Sequence, residues 1–274
     1  MKKETSLTKA KAALLSGPGP ATGGFWCADA SFDDMRRLIG KSFAGAKDSS
    51  GEPVIEWLQC GFEHPSHEVK VETTIFSLSF PIKKDMANNG VGFAKKTLDG
   101  NLAGIVVLVE RDFSNEKSNW FSQLSDNARE MLLFFTLLKA GEAPIFFTSK
   151  DHKDQREGFS KRVKLLEILT EWEKEYGPKG KHWHFHHVAV DPDQQGTGVG
   201  SELMKRVCEL ADAEKIDCYL ETGKESTKRF YEKFGFRLVA TKVIESEPDP
   251  SLTLYLMTRP HQQQPEEEED KFSE

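Results

Sequence analysis

The chain has 274 residues, 38% of them hydrophobic, which suffices for one sizeable core or for one domain carrying a large insertion. Its formal charge is −7, of which the stretch QQQPEEEEDKFSE (262–274) supplies a net −5; the remainder is close to neutral and lacks the basic excess of a nucleic-acid partner. The longest apolar stretches, LAGIVVLV (102–109) and MLLFFTLL (131–138), are far short of a membrane span, and four scattered cysteines (Cys27, Cys60, Cys208, Cys218) with no C-x-x-C pair read as reduced thiols of a cytoplasmic protein.

Residues 1–24, rich in Lys, Gly and Pro, read as a flexible leader, and Lys11 in their only apolar patch argues against a secretory signal. Over 30–46 the spacing of Met35, Leu38, Ile39 and Phe43 predicts a helix with Ser31 as its N-cap. The segment 53–59 is ambiguous. TTIFSLSF (73–80) alternates and is rich in β-formers, so it reads as a strand. Two β-rich runs within 91–112 flank Asp99-Gly100, a hairpin signal. Residues 118–180 read as mainly helical, with one apolar face through Leu124, Met131 and Phe135 and another through Leu165, Ile168, Leu169, Trp172 and Tyr176; Gly177-Pro178 ends the second helix. The pattern then becomes strand (182–190), glycine loop, helix (199–215), strand (217–222), helix (226–236) and two strands (237–244 and 252–258), before an acidic, disordered tail over 261–274.

The glycine loop, DPDQQGTGVG (191–200), lies between a strand and a helix. The first amides of a helix have no intrahelical partner, the dipole adds positive potential there, and glycines let the main chain approach an anion closely. Gly196, Gly198 and Gly200 are therefore candidate contacts to a pyrophosphate. The Walker pattern is absent, and a dinucleotide pattern needs a third glycine where Ser201 stands, although Glu221 ends the next strand where a ribose-binding acid would sit.

VAVDPDQQGTGVGSELM resembles the acetyl-coenzyme A loop of the GNAT N-acetyltransferase superfamily, whose core [QR]-x-x-G-x-[GA] is matched here by Gln195, Gly198 and Gly200. HWHFHHVAVDP, ADAEKIDCYLET and RFYEKFGF are similar to the corresponding stretches of a branch that includes puromycin-type acetyltransferases, so the resemblance covers about 181–240. It implies an α/β (α+β) GNAT fold over 25–260: a mixed, mostly antiparallel sheet, splayed at the acetyl-coenzyme A site and flanked by helices, with a helical insertion at 118–180. It implies that Val188, Ala189, Val190, Gln195, Gly196, Thr197, Gly198, Val199, Gly200, Ser201, Thr227 and Phe230 border the acetyl-coenzyme A, with main-chain groups of Val188 and Val190 meeting the pantetheine arm. Thr227 stands where the branch often has asparagine, and its hydroxyl could still hydrogen-bond.

The same resemblance implies transfer of acetyl to a primary amine by direct attack in a ternary complex, with Tyr231 as general acid toward the leaving thiolate and Glu221 as base. An alkyl ammonium has a pKa of about 10.4, so a base or water chain must remove its proton. The histidines of HWHFHH place His182, His184 and His186 on one strand face; with no acid or cysteine beside them in sequence they read as cleft-lining groups, and no metal is expected. Lys224, Lys228, Arg229, Lys205 and Arg206 are candidates for the 3′-phosphate of coenzyme A. A small-molecule amine is the expected acceptor, with no nucleic-acid or membrane partner. Two other readings stay open: a protein lysine or N-terminal acetyltransferase, and a non-catalytic coenzyme A sensor.

Overall fold

A computed structural model describes residues 5–45, 47, 50–59, 66–87, 90–114, 152–245 and 251–262. The helix expected over 118–138, Cys60 and the tail beyond 262 lie outside the described residues. Among those residues one open sheet contains β1 (Phe25–Cys27), β2 (Val91–Lys96), β3 (Leu102–Arg111), β4 (His182–Val190), β5 (Asp217–Thr222), β6 (Arg237–Ile244) and β7 (Leu252–Arg259), in the order β1-β2-β3-β4-β5-β7-β6. Every neighbouring pair is antiparallel except β4 and β5.

Helices cover both faces. On one, α1 (Ser6–Ser16) and α6 (Val199–Ala213) bury Leu7, Leu14, Leu203 and Val207 against Val106, Leu108, Trp183 and Phe185. On the other, α2 (Phe32–Ala44) and α4 (His67–Ala87) pack Leu38, Ile39, Leu78 and Ile82 onto Ile105, Val107 and Ala189. Beside them α3 (Pro53–Leu58) and α5 (His152–Tyr176) set Trp57 and Leu165 on Tyr219 and Leu254. A short helix, α7 (Glu225–Glu232), follows β5. The fold is the mixed, mostly antiparallel sheet flanked by helices that the resemblance implies. Its hairpin turns at Gly100, whose φ of +84° glycine adopts without a Cβ penalty.

One expectation is corrected. Residues 73–80 are not a strand: they lie within α4, where Ile75, Leu78 and Ile82 recur at helical spacing and are buried. The hydroxyls that suggested a strand bond back within the helix, Thr73 to the Val69 carbonyl (2.8 Å), Thr74 to Lys70 (2.9 Å) and Ser79 to Ile75 (2.7 Å). Local β-propensity yields to burial against α2 and β3. Within the leader, Ser6–Ser16 form α1 with Thr5 as N-cap. Leu7, Ala10 and Leu14 fall on one buried face, and Ser6 Oγ accepts the buried Trp183 indole N–H at 2.9 Å.

Candidate active site

β4 and β5 pair only where His182, His184 and the residue between them lie opposite Asp217–Tyr219. Beyond that point they diverge, so Phe185–Val190 keep β3 on one edge and have no strand on the other among the described residues. The Asp191 N–H donates to the Ala103 carbonyl at 2.9 Å. Antiparallel alternation then turns the main-chain groups of Val188 and Val190 toward the open edge.

The glycine loop closes the wide end of this split. Gly196 (φ +77°) and Gly198 (φ +95°) are left-handed and exposed, and Gly198 is the N-cap of α6 with no side chain to cap its first amides. A Cβ at Gly196 would meet open space; one at Gly200 would lie 3.2 Å from Val190 Cγ2. Thr197 Oγ1 donates to the Gln194 carbonyl (2.7 Å) and Gln195 Nε2 to the Val190 carbonyl (3.3 Å), tying the loop to itself and to β4. Val199 is buried under the first turn of α6, Ser201 is exposed, and Ala189 faces α2 rather than the open edge. The chain thus presents bare amides, positive helix-end potential and room for an anion, features that fit a pyrophosphate.

At the narrow end a cavity of about 250 Å³ is lined by β4, Glu221, Tyr231 and apolar residues of α3, α4 and α5, including Ile55, Leu58, Leu78, Leu165 and Leu169. Its floor departs from strict alternation. Val107 pairs with His187 and Leu108 with Phe185, so His186 is an extra, bulged residue in β4. The bulge resets parity: Trp183, Phe185, Val188 and Val190 pack into the core on the α6 side, while His184, His186 and His187 all border the cavity, which Phe185 and Val188 also reach.

Acids from three distant elements meet these histidines. His184 Nδ1 lies 2.9 Å from Glu173 on α5, and its Nε2 lies 2.8 Å from Glu221 on β5. Burial opposes a charge on His184, but the two carboxylates prevail and lift its pKa to about 10. Burial would likewise raise Glu173, yet His184 and the hydrogen bond from His182 (3.0 Å) hold its carboxyl well below the usual range. His186 Nδ1 is 2.9 Å from Asp85 on α4, and its Nε2 is 3.3 Å from Arg111 Nη2. Arginine only donates, which assigns His186 as the neutral Nδ1–H tautomer. Burial pushes His187 down to about 4, and neither of its ring nitrogens has a hydrogen-bond partner among the described residues.

Glu221, at the end of β5, therefore enters the cavity as half of an ion pair. Its Oε2 is held by His184, while Oε1 is buried with no hydrogen-bond partner among the described residues. Tyr231 is buried on α7, its ring 5.5 Å from that of Phe230 and 5.8 Å from that of Phe236. Burial and then the nearby Glu52 raise its pKa, so the phenol keeps its proton. Thr227 is half-buried one turn earlier. Of the basic candidates, Lys228 pairs with Glu225 (2.9 Å) and Glu232 (3.4 Å), Arg229 with Glu225 (3.3 Å), and Arg206 donates to the Ala13 carbonyl (2.8 Å); Lys205 is exposed.

Sequence reading missed Glu52, Asp85, Arg111 and Glu173. Two had a signal: Asp85 follows Ile75, Leu78 and Ile82, and Glu173 follows Leu165 and Leu169, each an acid on an otherwise apolar helix face. No group of three or more ligand-type side chains able to hold a metal occurs among the described residues, and no described helix is long and apolar enough to cross a membrane.

The acetyltransferase (GNAT) domain family matches residues 157–238, from α5 through the glycine loop into the start of β6. Over 60 residues the chain is 43% identical to an uncharacterised N-acetyltransferase of Schizosaccharomyces pombe, covering 22% of this chain and 25% of that protein. Over 54 residues it is 35% identical to glucosamine 6-phosphate N-acetyltransferase of Trypanosoma brucei brucei, covering 20% of this chain and 37% of that one. These matches span from a quarter to just over a third of the curated relatives' length. Among solved structures, arylalkylamine N-acetyltransferase 2 from Aedes aegypti superposes with a TM-score of 0.55 at 16% identity, over 86% of this chain and 98% of that one, a likeness of fold. With the split sheet and glycine loop, these findings define the class: residues 157–238 match an acetyltransferase (GNAT) domain, within a fold like that of a solved N-acetyltransferase.

Proposed function

We propose that the protein transfers acetyl from acetyl-coenzyme A to the primary amine of a small molecule, by direct attack within a ternary complex. The observation that carries this reading is the split between β4 and β5, which connects the bare amides of the glycine loop to a cavity lined by Tyr231 and Glu221. Val188 and Val190 would hold the pantetheine arm through their main chain, and one of their N–H groups would serve the developing oxyanion. The amine attacks the thioester carbonyl; the carbon–sulfur bond then breaks. Glu221 Oε1 takes the ammonium proton before the attack, the Tyr231 hydroxyl protonates the leaving thiolate, and the second N–H proton released from the tetrahedral intermediate returns to the Tyr231 phenolate.

Apolar walls from α3, α4 and α5 and a volume of about 250 Å³ favour a small acceptor over a protein chain. Buried acids beside one charged histidine favour an acceptor that arrives as a cation. The test is release of coenzyme A thiol from acetyl-coenzyme A across a panel of amines, with lysine peptides as a separate arm. Turnover on small amines supports the proposal; turnover on peptides alone would move it to protein acetylation, and binding without turnover would make the protein a coenzyme A sensor.

A further inference from the structure

The first turn of α6 carries an acid, Glu202, four residues after Gly198. An anion there opposes any phosphate bound at the same helix end, because both compete for the same positive potential. The fold places a cation against it. Lys95, on β2 and 2% exposed, has its Nζ 2.8 Å from Glu202 Oε2. The same carboxylate accepts the Ala21 and Thr22 main-chain N–H groups and the Thr22 hydroxyl, and Lys95 also donates to that hydroxyl. These bonds lay the segment linking α1 to β1 across the start of α6. The Thr22 methyl sits 4.0 Å from where a Gly198 Cβ would be. Further pins flank it: Arg206 on the Ala13 carbonyl of α1 (2.8 Å), and the Trp26 indole on the Pro18 carbonyl within the segment (2.8 Å).

We infer that Lys95 is a positioning residue for coenzyme A: it neutralises Glu202 and fastens the N-terminal segment, which keeps the first turn of α6 receptive to a pyrophosphate. The inference rests on the glycine loop being the pyrophosphate site. Lys95 acts through Glu202, and its effect belongs to coenzyme binding rather than to the chemical step.

Calorimetry with coenzyme A on the full chain tests this. Lys95→Met leaves Glu202 charged and unpaired, and should weaken binding about tenfold, less so at high salt. Lys95→Arg should restore affinity. Glu202→Gln keeps an acceptor for the Ala21 and Thr22 amides but removes the opposing charge, and should bind coenzyme A as tightly as the unaltered protein or tighter. The double variant, Lys95→Met with Glu202→Gln, should recover most of the loss. A merely structural clamp predicts the reverse: Glu202→Gln weaker and the double variant no better than Lys95→Met, and either result overturns the inference. Unchanged affinity in Lys95→Met overturns it too. If Lys95→Met does not fold, the sign of the Glu202→Gln effect decides alone. Failure of the unaltered protein to bind coenzyme A would remove the underlying site reading itself, and the inference with it.

Discussion

The two halves of β4 reach their roles by opposite means. From His182 to His187 the side chains matter. All four of these histidines contact acids borne on α4, α5 and β5, with the His184 ion pair buried at the centre. From Val188 to Val190 and on through the loop, the main chain matters. The edge is open, the amides are bare, and Gly196 and Gly198 are set by φ rather than by contacts. One half is a network in which every charge depends on its neighbours; the other is a backbone shape that tolerates many side chains but few changes of conformation.

The largest effect that would sharpen this contrast is expected in the first half. Glu173→Gln leaves the His184 charge with one partner instead of two, and breaking a buried pair from one side typically costs about 3–5 kcal/mol. Denaturant unfolding should show a loss of that order; a loss below about 1 kcal/mol would mean the network is solvated like a surface pair. Next is Tyr231→Phe, which keeps the ring packed against Phe230 and Phe236 but removes the proton. Folding and coenzyme A binding should persist, while kcat and kcat/KM should both fall about 10²-fold. An unaltered kcat under chemistry-limited conditions would return Tyr231 to a packing role.

In the second half, Gly198→Val forces a branched residue into φ +95°. The conformation costs about 1–2 kcal/mol for an L residue and more for a β-branched one, so modest destabilisation should accompany a roughly tenfold weaker coenzyme A affinity. Gly19→Val is the control, since a Cβ there meets nothing within 4 Å and its φ is ordinary. A further contrast lies in the pH profile of stability. His184 has a raised folded pKa, so its contribution is complete below an unfolded pKa of about 6.5 and is lost as pH climbs toward about 10. His187 has a lowered one, so the unfolded chain takes up its proton first and stability declines as pH falls from about 6.5 toward about 4. Replacing His187 with Phe should flatten only the acid limb, by at most about 1.4 kcal/mol per pH unit. Replacing His184 with Gln should flatten only the alkaline limb. Identical profiles for the two variants would break the distinction drawn between the histidines.

The second half of β4 was legible in the sequence and the first half was not. A glycine loop is written in consecutive letters: Gln195, Gly198 and Gly200 fix backbone conformations locally, and the strand before and helix after them follow from local periodicity. The same holds for the hairpin at Gly100 and for the terminal alternation of strands and helices. The histidine network is assembled from Asp85, Glu173 and Glu221, far apart in the chain, and no local rule brings them to one cavity. The bulge at His186, which sets three histidines on the cavity, arises from register with β3. Residues 73–80 became helix because packing on α2 and β3 outweighed β-propensity, and α1 became ordered because Leu7, Ala10 and Leu14 found a face to bury against. Sequence by itself determined the acetyltransferase-like motif, the loop and the order of elements around it, since short-range sterics and hydrogen bonding suffice there. Tertiary structure decided which charges are paired, which histidine is charged and which is neutral, and how the cavity is walled, because those depend on burial and on distances between segments that only the folded chain brings together.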